Sequence, residues 1–146
     1  MKPFHILLVE DNEGDIMLIK EALEDAKILV ELSVLKDGKE AIDYLGNRSE
    51  DQCADLPDLL LLDINLPKRN GHEVLKYIKE NENLKHIPVT MFTTSSSEMD
   101  VNLSYSNYAN CYITKPVDLN SYLKVVATLV NFWINIVRLP AKNVII

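Results

Sequence analysis

Asp63 ends a run of four leucines, Leu59 to Leu62, in the stretch "PDLLLLDINLPKRNG". Burying an ionised carboxylate is costly unless something pairs with it, so an acid at that position calls for a cation. Other apolar runs end in matching chemistry. "HILLVE" leads into Glu10 and Asp11, "PVTMFT" ends in Thr93, and "CYIT" runs into Lys115 and Pro116. Three carboxylates and one ammonium leave a local formal charge of about −2, which is repulsive in a crevice of low dielectric. A hard divalent cation cancels it, and Mg²⁺ typically takes one or two carboxylates with waters and phosphate oxygens. Aspartate is also a nucleophile toward phosphoryl groups. The metal would bridge carboxylate and phosphoryl oxygens as transfer proceeds. Lys115 would pair with the carboxylate or the acquired phosphoryl oxygen, and Thr93 would donate a hydrogen bond to another.

Such a meeting needs elements that carry distant segments to one edge. Short apolar runs alternate with helical patterns along the chain. Strands are expected over 5–10, 30–35, 59–63, 88–93 and 111–114, and helices over 14–26, 38–45, 71–81, 96–109 and 119–137. Ile16, Ile19, Ala22, Leu23 and Ala26 mark the inner face of the first helix, and Val74, Leu75 and Ile78 that of the third. Five strand–helix repeats argue for a parallel α/β sheet covered on both faces. Strands one, three and four are unbroken apolar runs, as doubly buried strands are. Strand two alternates, with Val30, Leu32 and Val34 on one face, which suits an edge. The expected architecture is a doubly wound, five-stranded, flavodoxin-like sheet of order 2-1-3-4-5, with its switch point between strands one and three. Ligands bind such sheets at the carboxyl ends of the strands at that point.

Composition narrows the function. The 146 residues suit one domain with a sizeable core, and 47% hydrophobic with 25% charged is an ordinary soluble balance. A net charge of −7 makes the chain a poor partner for nucleic acid or an anionic membrane. Cys53 and Cys111 belong to no metal spacing and read as free thiols of a reducing compartment. "FHILLVED" is too short to be a signal peptide, so a cytoplasmic protein is expected.

"LLVEDN", "LLLLDINLPKRNG", "PVTMFTTS" and "CYITKP" resemble, in order and spacing, the motifs of the response-regulator receiver domain. The resemblance covers the chain to about Val137. It implies a receiver domain over 1–138, a C-terminal tail over 139–146, and no output domain after it. It further implies phosphorylation of Asp63 by a sensor histidine kinase, with Mg²⁺ held by Glu10, Asp11, Asp63 and the main-chain carbonyl of Asn65. Thr93 matches the switch hydroxyl, Lys115 the family lysine, and Tyr112 the aromatic that rotates when the hydroxyl moves. The Lys115–Pro116 bond is commonly cis in the family. Thr94 departs from the small residue usual after the switch hydroxyl, and Asn65 and Ser95 occupy positions that tune phosphoryl loss. "VEDNEGDIMLIKEAL", "LKDGKEAIDYL" and the "FW" of the last helix look like the small stand-alone regulators that partner phytochrome-type sensor kinases. The family's members take part in their own phosphorylation and dephosphorylation without being enzymes in the usual sense.

Plainer readings stand beside these. Asp63 alone would pass for a strand-ending turn residue, and Tyr112 for ordinary strand packing. Asp15 is a neighbour of the metal site or, more simply, an acid favoured by a helix N-terminus. His5, His72 and His86 share no metal-ligand spacing. Ser95 or Thr94 is expected to cap the fourth helix. An aspartyl-phosphate phosphatase of the haloacid dehalogenase type wants a second Asp where this chain has Asn65. A phosphorylation-independent scaffold has no need of the full set of acids, hydroxyl and lysine. A nucleotide-binding module lacks G-x-G-x-x-G and a Walker lysine. The last helix, "VVATLVNFWINIV", is apolar nearly all round but too short to span a membrane. A homodimer through this helix and the tail is expected, against the alternative of a tail folded back over the patch.

Overall fold

The computed structural model describes residues 3–51 and 54–140. Strands and helices alternate: β1 (Phe4–Val9), α1 (Glu13–Asp25), β2 (Val30–Leu35), α2 (Gly38–Ser49), β3 (Leu59–Leu62), α3 (Gly71–Glu80), β4 (Val89–Thr93), α4 (Glu98–Ser106), β5 (Cys111–Thr114) and α5 (Leu119–Asn131). All strand pairs are parallel and the sheet order is β2-β1-β3-β4-β5. The α/β class and strand order expected from the sequence are both present.

Successive side chains of a strand point to opposite faces, and this divides the leucine run. Leu59 and Leu61 join Ile6, Leu8, Ile16, Ile19 and Val126 on the α1/α5 side. Leu60 and Leu62 join Leu7, Val9, Val74, Leu75 and Ile78 on the α2/α3 side. All four leucines are fully buried, and each contributes about 2 kcal/mol by leaving water. That burial fixes the register of β3 and therefore where Asp63 emerges. β2 lies at the sheet edge, and Val30, Leu32 and Val34 are only partly buried against the α1/α5 core.

Helix starts follow from local caps. Asn12, Asp37, Asn70, Ser97 and Asp118 each accept a first-turn N–H through the side chain. The cap of α4 is thus Ser97, not Ser95 or Thr94. Ala26 lies past α1 as its exposed C-cap, not on its inner face. The last helix does not run regularly to 137. From Phe132 to Ile136 it widens into a π-helix, with Val137 N–H donating to Phe132 C=O at 2.9 Å. The extra width per turn leaves Phe132 and Ile136 exposed, while Trp133 and Ile134 pack on the α1/α5 core. Among the described residues no helix is long and apolar enough to cross a membrane.

Candidate functional site

Parallel register brings the acids together. Val9 lies opposite Leu62, so the next residues, Glu10 and Asp63, leave the sheet side by side. Glu10, Asp11 and Asp63 each offer a carboxylate oxygen within 4.8 Å of the other two. Glu10 is buried, Asp63 half-buried and Asp11 exposed, which leaves the cluster open to solvent on one side. Ile64 N–H donates to Asp63 Oδ1 at 2.7 Å and orients the carboxylate. The following loop turns back so tightly that Gly71 N–H reaches Ile64 C=O at 2.8 Å. A Cβ at position 71 would sit 2.1 Å from the Asp63 carbonyl oxygen, so this approach requires glycine. Asn65 lies exposed on that loop.

Lys115 arrives from the far edge. Its backbone N–H donates to Thr93 C=O at 2.7 Å, which anchors it beyond β5. Its Nζ donates to Glu10 Oε1, to Asp15 Oδ2 at 3.1 Å and to Asp63 Oδ2 at 3.2 Å. Burial works against the Lys115 ammonium. The hydrogen bond to Glu10 and the charges of Asp63 and Glu10 together outweigh it, so the pKa lies above the ordinary lysine value. Burial raises Glu10 in turn, and with the Asp63 charge it overrides the Lys115 hydrogen bond and pushes the carboxyl up to about 7. One ammonium is too little positive charge for this many acids. An all-oxygen, acid-rich cluster with an open side suits a hard divalent cation.

Asp15 belongs to this network. Besides lying in the first turn of α1, it accepts from the Tyr122 hydroxyl at 2.8 Å through its second oxygen. Burial, and then the bond to Asp15, hold the Tyr122 hydroxyl above the usual tyrosine range. The capped start of α1 at Asn12 turns Asp15 inward, but its partners lie 100 and 107 residues away in sequence. No local pattern announces them.

A second chain of contacts leaves the acids through Thr93, which is fully buried. Ser95 N–H points to Thr93 Oγ1 at 3.4 Å, and the Tyr112 hydroxyl donates to Ser95 C=O at 2.8 Å. Ser95 Oγ donates to Asp100 Oδ2 at 2.6 Å, and Asp100 Oδ1 meets His72 Nε2 at 2.9 Å. The Ser95 bond first, and the His72 bond second, hold Asp100 below the ordinary carboxylate value. Ser95 thus joins Thr93 and Tyr112 to α4 and α3. His72 is part of this link, where its sequence surroundings gave it no role. Thr94, next to Thr93, is exposed. No cis peptide bond occurs among the described residues, so Lys115–Pro116 is trans, contrary to expectation. Cys111 is a half-buried free thiol held above its ordinary pKa by burial, and Cys53 lies outside the described residues.

Residues 6–127 match the family model of the response regulator receiver domain. Response regulator Rcp1 of Synechocystis sp. is 45% identical over 139 residues, covering 95% of each chain. A probable methanogenesis regulatory protein, FilR2 of Methanothrix harundinacea, is 43% identical over 143 residues, covering 94% of this chain and 88% of its own. The crystal structure of the Mn²⁺-bound form of Rcp1 superposes with a TM-score of 0.86, covering 95% of this chain and all of that one. The phosphorylated cyanobacterial phytochrome response regulator RcpA is 43% identical and superposes at 0.88, over 97% of this chain and 100% of its own.

Proposed function

The chain belongs to the response regulator receiver domain family, and from that premise we propose that Asp63 accepts a phosphoryl group from the phosphohistidine of a sensor histidine kinase. Mg²⁺ is held by Glu10, Asp11, Asp63 and the main-chain carbonyl of Asn65, and when bound it neutralises charge on the phosphoryl oxygens. An Asp63 carboxylate oxygen forms the new O–P bond as the N–P bond breaks, and the imidazole nitrogen leaves with the electron pair. The single observation that carries this reading is the convergence of Glu10, Asp11 and Asp63 within 4.8 Å, beside the Lys115 ammonium at 3.2 Å from Asp63. Lys115 steadies the acceptor and then the phosphoryl group, and the Thr93 hydroxyl donates to another phosphoryl oxygen. Drawing Thr93 toward that oxygen loosens its contact with Ser95 and, through the Ser95 carbonyl, the hold on Tyr112. The signal leaves by protein contacts. We propose a receiver domain over 1–138 acting in the cytoplasm with a phytochrome-type kinase as its phosphodonor, a partner supported by the likeness to RcpA, a phytochrome response regulator.

The test is incubation with a phosphorylated kinase domain and Mg²⁺. One phosphoryl group is gained in the wild type and none in Asp63→Asn or after chelation of the metal. A protein that gains nothing at Asp63 is a phosphorylation-independent scaffold instead. In Tyr112→Phe, phosphorylation persists while the response of partner binding to phosphorylation weakens. The homodimer follows on a separate observation: Phe132 and Ile136 remain 44% and 67% exposed at the end of the last helix. Its tail contribution beyond Pro140 lies outside the described residues. Sedimentation gives a dimer at micromolar concentration that Phe132→Asp dissociates; a monomer throughout removes it.

A further inference from the structure

The amino edge of the sheet, at the opposite end from Asp63, holds a second group of ligand-type side chains. His5 and Glu31 are direct cross-strand partners at the starts of β1 and β2. His5 is 2% exposed. Its Nε2 meets Ser33 Oγ at 2.8 Å, while its Nδ1 has no hydrogen-bond partner and stands 3.8 Å from Asp55 Oδ2. A buried ring nitrogen without a partner is costly to keep. His5 lines a cleft of about 540 Å³ together with Glu31, Ser33, Arg48 and Asp55 among others. His5, Glu31 and Asp55 each present a ligand atom within 4.8 Å of the other two.

We infer that His5, Glu31 and Asp55 form a binding site for a divalent transition cation of the Zn²⁺ class, separate from the phosphoacceptor site. With the ring proton on Nε2 facing Ser33, Nδ1 presents its lone pair to the cleft. Metal-bound histidines are held in the same way, the far nitrogen donating to an outer oxygen that fixes the ring. One imidazole with two carboxylates selects Zn²⁺ over Mg²⁺, which prefers oxygen alone. Ligand atoms around a tetrahedral Zn²⁺ lie roughly 3.4 Å apart, so the exposed Glu31 and the loop-borne Asp55 close in by about 1 Å while His5 stays fixed. Water fills the fourth position. Five residues of extended strand, roughly 16 Å, separate this site from Glu10, so the two cations bind independently. The bound metal ties the loop before β3 to the first two strands, and it stabilises the fold because it binds the native state alone.

The experiment is titration of the full chain with Zn²⁺ while Mg²⁺ in large excess occupies the acidic cluster. The wild type takes up one Zn²⁺ per chain, its thermal midpoint rises, and the His5 ring nitrogen resonances shift. Binding weakens at least about tenfold in His5→Gln and in Glu31→Gln, the second altering only an exposed side chain, while Asp63→Asn keeps it unchanged. No uptake overturns the site. So does uptake that survives both His5→Gln and Glu31→Gln, or uptake lost in Asp63→Asn.

Discussion

At the carboxyl edge of the sheet, Lys115 Nζ reaches Glu10, Asp15 and Asp63 at once. At the amino edge, His5 Nδ1 stops 3.8 Å from Asp55 Oδ2 with Glu31 beside it. Both edges set several acids around one basic side chain, and the reach of that side chain decides how the charge is met. A four-carbon stem with a compact ammonium swings among three carboxylates, whereas an imidazole pinned by Ser33 points one way only. The carboxyl edge is therefore a coupled network in which every removal is felt. The amino edge is a set of groups that tolerate separate substitution.

The largest expected effect tests that contrast directly. Lys115→Met leaves Glu10, Asp15 and Asp63 clustered without their cation. Removing one partner of a buried ion pair costs about 3–5 kcal/mol, and because Glu10 can take up a proton the expected loss is about 3 kcal/mol at pH 8. His5→Gln gives up one hydrogen bond to Ser33, about 1 kcal/mol. Urea denaturation with EDTA present measures both. Equal losses at the two edges would erase the distinction.

Gly71→Ala comes next. Its Cβ would meet the Asp63 carbonyl at 2.1 Å and Ile64 Cα at 2.8 Å. Backbone must move, at about 2 kcal/mol, and the Asp63 carboxylate moves with it. Slower phosphorylation accompanies the loss, while the cleft around His5 keeps its properties. Normal phosphorylation kinetics in this variant would mean that the loop does not set the position of Asp63.

Glu10 gives the carboxyl edge a pH dependence. Its carboxyl sits at about 7 in the folded chain, above the ordinary 4.5, chiefly through burial. A raised folded value means that the proton binds the folded state more tightly. The stability it contributes is complete below the unfolded value and is lost as pH rises through about 7. Without divalent metal, the denaturation midpoint therefore falls as pH rises from about 4.5 to about 7 and levels off above that, and Glu10→Gln flattens the fall. Mg²⁺ competes with the same proton, so its apparent affinity rises over that window. A slope that persists in Glu10→Gln would place the titrating group elsewhere.

What was legible in the sequence follows the same division. The apolar runs of β1, β3 and β4 gave the sheet, because burial on both faces leaves a continuous pattern, and the alternation in β2 placed it at an edge. The residues at the ends of the strands, Glu10 after β1, Asp63 after β3 and Lys115 after β5, could be located because parallel strands end on one side. For Asp15 the sequence leaves a neighbour of the metal site and a simple helix acid side by side, since its bond to Tyr122 spans 107 residues. The cap of α4 was expected at Ser95 or Thr94, at the head of a run of three serines, and only geometry assigns Ser97 to the Asp100 N–H and Ser95 to its carboxylate. The π-helix at Phe132–Ile136 breaks a pattern that reads as uninterrupted helix. His5 shows no metal-ligand spacing in the sequence because Glu31 and Asp55 lie 26 and 50 residues away, with no pattern that ties them to it.

The smallest expected effect also belongs to the amino edge, where α4 turns into β5. Tyr108 has φ 66° and is 76% exposed. The turn closes with Ala109 N–H on Ser104 C=O and Tyr108 N–H on Tyr105 C=O, both at 3.0 Å, an arrangement that glycine usually completes. A side chain in the left-handed region costs about 1–2 kcal/mol, while glycine forfeits about 0.5–1 kcal/mol through its freer unfolded chain. Tyr108→Gly is therefore expected to gain about 0.5 kcal/mol in denaturation, with phosphorylation of Asp63 unchanged. A loss of stability would show that the exposed ring makes a contact worth more than the strain. A change in phosphorylation would show that the two edges communicate through α4, and the contrast between them would then be one of degree.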